Sequence, residues 1–133
     1  MANAVERLCR AIGYPEQPDG NASRATLLAD GNEILAGETG GRIRLLCRLT
    51  ADATRFPALA SWAAGRMLRE SAVLSCDADG AFLWQDEPAD ADDRTLSRLF
   101  ETFADSCDWW RDRIADAPAP SAAPAFPQMV ILP

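Results

Sequence analysis

Residues 93–115 carry the strongest constraint in this chain. Leu96, Leu99, Phe100, Phe103, Cys107, Trp110 and Ile114 recur at steps of three and four, while Arg94, Arg98, Glu101, Asp105, Asp108 and Asp112 take the other side. That spacing predicts a long amphipathic α-helix with a continuous apolar stripe. A helix of this kind is not stable alone in water. It requires another layer to cover the stripe, so the rest of the chain has to supply one.

The upstream sequence offers a sheet. Residues 4–12 place Val5, Leu8, Cys9 and Ile12 on one face of a short helix that Gly13 and Pro15 stop. The proline- and glycine-containing stretch 14–22 reads as a connection. Strand candidates 24–29 and 33–38 flank Asp30-Gly31-Asn32, whose residue types favour a tight hairpin, and Gly40-Gly41 makes the next turn. In residues 42–49 the alternation is clean. Ile43, Leu45, Cys47 and Leu49 face one way, and Arg42, Arg44, Leu46 and Arg48 face the other.

Residues 52–70 return to helical spacing through Phe56, Leu59, Ala60, Ala63, Met67 and Leu68, with Asp52 or Thr54 as cap and with Trp62 and Arg66 off the stripe. A second hairpin, 72–76 and 81–85, turns at Asp77-Ala78-Asp79-Gly80, and an acidic loop at 86–93 leads into the last helix. The predicted class is therefore α+β: helix, three strands, helix, two strands, long helix, with an antiparallel sheet packed against helices.

Composition decides what chemistry is open. The chain has 133 residues, of which 48% are hydrophobic, enough for one modest core. All 13 basic residues are arginine, histidine and lysine are absent, and the formal charge is −7. Without histidine there is no Ser/His/Asp triad or Cys/His dyad, and without lysine no Schiff base or P-loop. An acidic chain with no basic run is a poor match for nucleic acid. No catalytic residue, metal ligand or cofactor site is expected.

Cys9, Cys47, Cys76 and Cys107 are widely spaced within apolar segments and read as buried free thiols, not as a zinc site or disulfide framework. No stretch suits a signal peptide or a membrane span, so a reducing, cytoplasmic setting and no membrane insertion are expected. Residues 116–133 change character to alanine and proline and end on the apolar Met129-Val130-Ile131-Leu132. The division expected is a domain at 1–115 and a mobile tail at 116–133, the tail's end either fraying or docking in a groove of its own or a neighbouring molecule.

The order of elements, together with VERLCRAIGY, RIRLLCRLTA, RFPALASWAAGRML and LSRLFETFADSCDWWRDRI, resembles the small chaperones of type III secretion systems that serve individual effectors. The resemblance covers residue 4 to about residue 115 and includes the aromatic-arginine element Trp109-Trp110-Arg111. It implies a homodimer joined through the central helix and the following strand, which here means the neighbourhood of Trp62, Arg66, Leu74 and Cys76. Trp62 has two readings, a dimer contact beside Ala63, Ala64 and Gly65, or a cap on the core of one subunit.

The function that follows is binding of an unfolded N-terminal segment of a secreted effector, which is kept soluble and export-competent. An extended peptide adding a strand to a sheet edge, with its side chains in shallow apolar pockets, needs no catalytic group. The candidate pocket residues are apolar on the outward side of their element: Leu28, Leu35, Leu46 and Trp84, with Val5 and Leu8 of the first helix. Each also fits a second packed layer. Arg42, Arg44 and Arg48 form either a solvated strand face or partners for client carboxylates. Two rival classes stay open. One is a carboxylate enzyme using Asp77, Asp79, Asp86 and Glu87, although these residues read more simply as turn formers and a helix cap. The other is a non-enzymatic adaptor or regulator of the same fold that binds a folded partner.

Overall fold

The computed structural model describes residues 3–15, 23–66 and 71–116. Its elements are α1 (Ala4–Ala11), β1 (Arg24–Ala29), β2 (Asn32–Thr39), β3 (Arg42–Thr50), a 3-10 turn (Ala53–Arg55), α2 (Phe56–Arg66), β4 (Val73–Asp77), β5 (Gly80–Pro88) and α3 (Asp93–Asp116). The α+β class and the element order are those expected. Met67 and Leu68 of the helical stripe, and the tail from residue 117, lie outside the described residues.

All strand pairings are antiparallel, in the spatial order β1-β2-β3-β5-β4. The α2 connection carries the chain from β3 past β5 to the far edge, and the β4–β5 hairpin then returns it to the centre. Asp30 and Gly31 both take positive φ, 52° and 85°, as a two-residue turn matched to strand twist requires.

Period-two alternation divides the sheet into two faces. On the inner face Leu27, Ile34, Cys47 and Leu83 lie in register across four strands, with Ala36 and Leu45 in the next row, all of them buried. α3 covers this face with Leu96, Leu99, Phe103, Cys107 and Trp110, each at most 3% exposed. α1 adds Val5, Leu8 and Cys9, which are fully buried. Val5 and Leu8, expected on a partner-facing surface, are thus core residues, because α1 is held with its apolar stripe turned onto α3 and the sheet. They are withdrawn as binding residues.

Polar clamps set how the helices sit. Asn3 caps α1 by accepting from the Glu6 amide at 2.8 Å, and Asp92 caps α3 by accepting from the Thr95 amide at 2.8 Å. Arg7 donates to the carbonyls of Ala89 (3.1 Å) and Ala91, which fixes α1 to the β5–α3 connection. At the other end Asn32, 5% exposed, donates to Asp108 at 2.7 Å, and Arg111 donates to the Asp30 carbonyl at 2.7 Å. The β1–β2 hairpin tip is thereby tied to the last turns of α3.

Three expectations change. Asp86 and Glu87 belong to β5, not to an acidic loop, since the β3–β5 ladder continues to the Arg42–Pro88 pair. α2 begins at Phe56 after the 3-10 turn, which Asp52 initiates by accepting from the Thr54 amide at 3.0 Å. Cys76 is exposed near the end of edge strand β4, whereas Cys9, Cys47 and Cys107 are buried free thiols. A hydrogen bond shared with Cys47, reinforced by burial, pushes the Cys107 thiol up.

Gly80 sits at φ +117°, and a Cβ there would lie 1.9 Å from the Thr50 carbonyl oxygen, where the β3–β5 register shifts. The contacting atoms, from Thr50 and Ala51, are all backbone and cannot swing aside. Gly80→Ala is therefore expected to destabilise the fold by about 3 kcal/mol or more, read as a lower denaturation midpoint with the slope unchanged. A midpoint within error of the parent would contradict this packing.

Candidate functional site

The outer face of the sheet carries no helix among the described elements. Register places Thr26, Leu35, Leu46, Trp84 and Val73 in a single row that crosses all five strands. Leu35 is 43% exposed, and Leu46, Trp84 and Val73 are half-buried. Three of the residues singled out from the sequence thus come together as one apolar band, because each stands on the outward phase of its own strand. Leu28 shares that phase at the end of edge strand β1 and is 62% exposed.

Arginines border the band. Arg44 lies over the Trp84 ring, its Cζ 4.1 Å from the centroid, and Arg48 lies 5.0 Å over Phe82. Asp86 accepts from Arg42 at 2.8 Å and from Arg44 at 3.1 Å, and Asp77 accepts from Arg48 at 2.7 Å. The Arg42 hydrogen bond, helped by Arg44 and opposed by partial burial, holds the Asp86 carboxyl below its usual range, and Arg48 does the same for Asp77. Arg24, pointing to the same face beside Gly37, has no ion-pair partner among the described residues. Leu35, Leu46, Arg24, Arg42, Arg44 and Asp86 line a shallow cavity of about 380 Å³. Four arginines against three carboxylates, Asp77, Asp86 and the exposed Glu33, leave this face with one net positive charge on a chain of net charge −7.

A second cavity, about 740 Å³, opens at the β1 edge between Ile12, Tyr14, Leu28 and Phe100. The Leu28 amide points outward and donates to the Tyr14 hydroxyl at 3.1 Å. Strand alternation sends the Thr26 amide the same way, toward the side where a further strand would add.

The remaining candidates gather elsewhere. Trp62 and Arg66 lie on α2, and Leu74 and Cys76 on the neighbouring edge strand β4. Trp62 packs 6.4 Å from Trp110, which in turn meets Trp109 edge-on at 5.2 Å, and Arg66 lies 3.8 Å over Trp109. α2 is apolar nearly all round, yet only Leu59 and Ala63 are buried, leaving Pro57, Ala58, Ala64 and Gly65 exposed.

The four carboxylates of the enzyme reading do not converge. Asp77 and Asp79 form the β4–β5 turn, where Asp77 accepts from the Asp79 amide at 2.9 Å. Asp86 stands nine residues beyond Asp77, at the far end of β5 on the outer face, and Glu87 points to the inner side in register with Ile43. Among the described residues no group of His, Cys, Asp and Glu is placed to hold a metal ion, and no helix is long and apolar enough to cross a membrane.

Sequence reasoning missed Val73, Phe82 and Arg24 as parts of the outer face, and Asp86 as the anchor of its arginines. Strand phase was the available signal for Val73 and Phe82. For Asp86 the signal was hidden, because the expected strand stopped one residue short of it and its arginine partners lie on β3.

No family model matches this chain, and no curated protein does either. Solved structures do match in fold. A chain of the HopA1–SchA chaperone–effector complex superposes with a TM-score of 0.64 at 15% identity, over 82% of this chain and 91% of that one. One from the ExsC–ExsE complex gives 0.61 at 17%, over 82% and 89%. The Yersinia pestis type III secretion chaperone SycH, solved with a stable fragment of YscM2, gives 0.59 at 12%, over 80% and 96%. The chain thus has the type III secretion chaperone fold expected from its sequence.

Because the depressed Asp86 pKa stabilises the fold only while the carboxyl is ionised, its contribution is complete above the unfolded value near pH ~4 and fades as pH falls through the lower folded value. Asp86→Asn should lower stability at neutral pH by at most about 1 kcal/mol given its half-exposed arginine partners, read as a lower melting temperature. The gap to the parent should close in acid. A gap that widens as pH falls would contradict the assignment.

Proposed function

We propose that this protein is a cytoplasmic type III secretion chaperone that binds an extended N-terminal segment of a secreted effector and keeps it soluble for export. The observation that carries this reading is the Leu35–Leu46–Trp84 row, with Leu35 exposed and Leu46 and Trp84 half-buried, on a sheet whose fold is shared with chains of chaperone–effector complexes. Main-chain hydrogen bonds at the β1 edge and apolar side chains seated in the outer-face band or the Tyr14–Leu28 cavity would hold such a segment without chemistry. Burial contributes about 25 cal/mol per Å², less the cost of ordering the segment. Arg24 and the neighbouring arginines suit backbone carbonyls or client carboxylates.

The proposal includes a homodimer through α2 and β4. A helix apolar on every side needs cover on every side, and this chain buries only Leu59 and Ala63 of α2. Small residues at positions 63–65 allow close approach, and Trp62 lies beside them.

The test is co-expression with the N-terminal regions encoded by adjacent reading frames, followed by size-exclusion chromatography with light scattering. The expected species is a dimer of about 29 kDa, twice the 14.4 kDa chain, carrying a client segment that resists protease only in the complex. Leu46→Asp should cut capture at least about tenfold and leave the dimer intact, whereas Trp62→Ala should weaken the dimer. A monomer that retains no neighbouring product would remove the chaperone reading. Capture of a stably folded partner would replace it with the adaptor.

A further inference from the structure

We infer that the outer face seats a carboxylate side chain of the bound segment over Gly37, between Arg24 and Arg44, two positions along that segment from an apolar residue held by Leu35 and Leu46. This takes the outer face as the partner's seat, as above, and names the side chain the partner brings to it. The register puts Arg24, Gly37, Arg44 and Asp86 side by side across β1, β2, β3 and β5, one row along from the apolar band. Gly37 has no side chain to fill its place in that row, so it floors the cavity of about 380 Å³ that Arg24, Arg42, Arg44 and Leu35 also line. The fold does not require glycine there. Its φ lies outside the left-handed region, and a Cβ would meet only Arg24 Cγ at 3.7 Å and the Ser23 carbonyl oxygen at 3.9 Å, both ordinary contacts. Glycine weakens a strand interior, and it marks a place where another chain can approach closely.

Charge on this face is unevenly placed. Arg24, Arg42 and Arg44 stand at the Gly37 end with only Asp86 among them, whereas Arg48 shares the other end with Asp77 and Glu33. Three guanidiniums against one carboxylate leave two net positive charges beside Gly37. Arg42 and Arg44 each bond Asp86 through a single nitrogen, which leaves most of their five N–H donors for a second carboxylate. Arg24 has no ion-pair partner among the described residues. The net charge of −7 repels an acidic segment at long range, so a preference for one has to arise from this local cluster. Spacing fits as well. Successive rows on one face of a sheet lie two residues, about 6.8 Å, apart, and an extended peptide repeats its side chains at the same interval. A segment lying along β2 and β3 with an apolar residue over Leu35 and Leu46 therefore places the residue two positions away over Gly37.

The test titrates the full chain with threonine-rich synthetic dodecapeptides that carry Leu-Thr-Glu or, for the opposite chain direction, Glu-Thr-Leu, each with a counterpart in which Gln replaces Glu. In NMR spectra the Gly37 amide, the Arg24 Nε–H and the Trp84 indole N–H are expected to move together, with one acidic peptide binding about fivefold tighter than its Gln counterpart. Arg24→Gln and Gly37→Val should each bring that ratio to about one. Gly37→Val should melt no lower than the parent, because a β-branched side chain suits a strand; should it fold poorly, Arg24→Gln, at an exposed side chain, carries the same readout. A parent ratio near one, a ratio that survives both variants, or a Gly37 amide that no peptide moves would overturn the inference. If Trp84 shifts equally with every peptide, the band binds and the chaperone reading stands without the carboxylate seat. Failed client capture on co-expression removes that reading and leaves an observed peptide ratio as support for the seat.

Discussion

Burial of the α3 stripe against the inner face of the sheet is the interaction on which the rest of the structure depends. Leu96, Leu99, Phe103, Cys107 and Trp110 meet Leu27, Ile34, Leu45, Cys47 and Leu83 in one cluster that α1 completes. No single pair holds this together. Each large apolar side chain contributes a few kcal/mol at most, and the sum has to exceed the entropy lost by ordering the chain. The polar clamps at the two ends, Arg7 to the β5–α3 connection and Asn32 with Arg111 at the β1–β2 tip, add direction that apolar burial lacks. They fix where along the sheet the helix lies.

Once α1 and α3 occupy one face, the other is left to other uses. A half-covered antiparallel sheet ordinarily carries polar residues on its open side. Here Leu35, Leu46, Trp84 and Val73 break that rule in one continuous row, and arginines flank them with Asp86 and Asp77 as internal counter-charges. Arg44 stacked on Trp84 belongs to both sets, covering the indole while presenting a cation. Such a surface leaves apolar area in contact with water that none of the described elements covers. α2 repeats the theme at the opposite edge, with a helix of small and apolar residues that the chain itself leaves half uncovered.

Much of the fold was legible because its signals are local. Asp30-Gly31 specifies a two-residue turn whatever surrounds it, and the alternation through Ile43, Leu45 and Cys47 fixes which side of β3 is inner. The α3 stripe reads at helical period along its whole length. Misreadings arose where local pattern is silent about layers. Val5 and Leu8 have the same amphipathic spacing whether the stripe faces a partner or the core, and only the placement of α1 against α3 decides it. Asp86 looked like part of an acidic loop because a strand's end is set by its ladder, and the partners in that ladder, Arg42 and Arg44, lie more than forty residues away.

The sequence by itself determined the class, the order of elements, the tight turns and the outward phase of Leu35, Leu46 and Trp84 on their strands, since each depends on neighbours within a few positions. The tertiary structure alone decided that Leu35, Leu46 and Trp84 form one band, that Asp86 gathers two arginines, and that Asn32 locks the hairpin tip to Asp108. These depend on strand order and register, which come from summed burial across the whole sheet and not from any one segment.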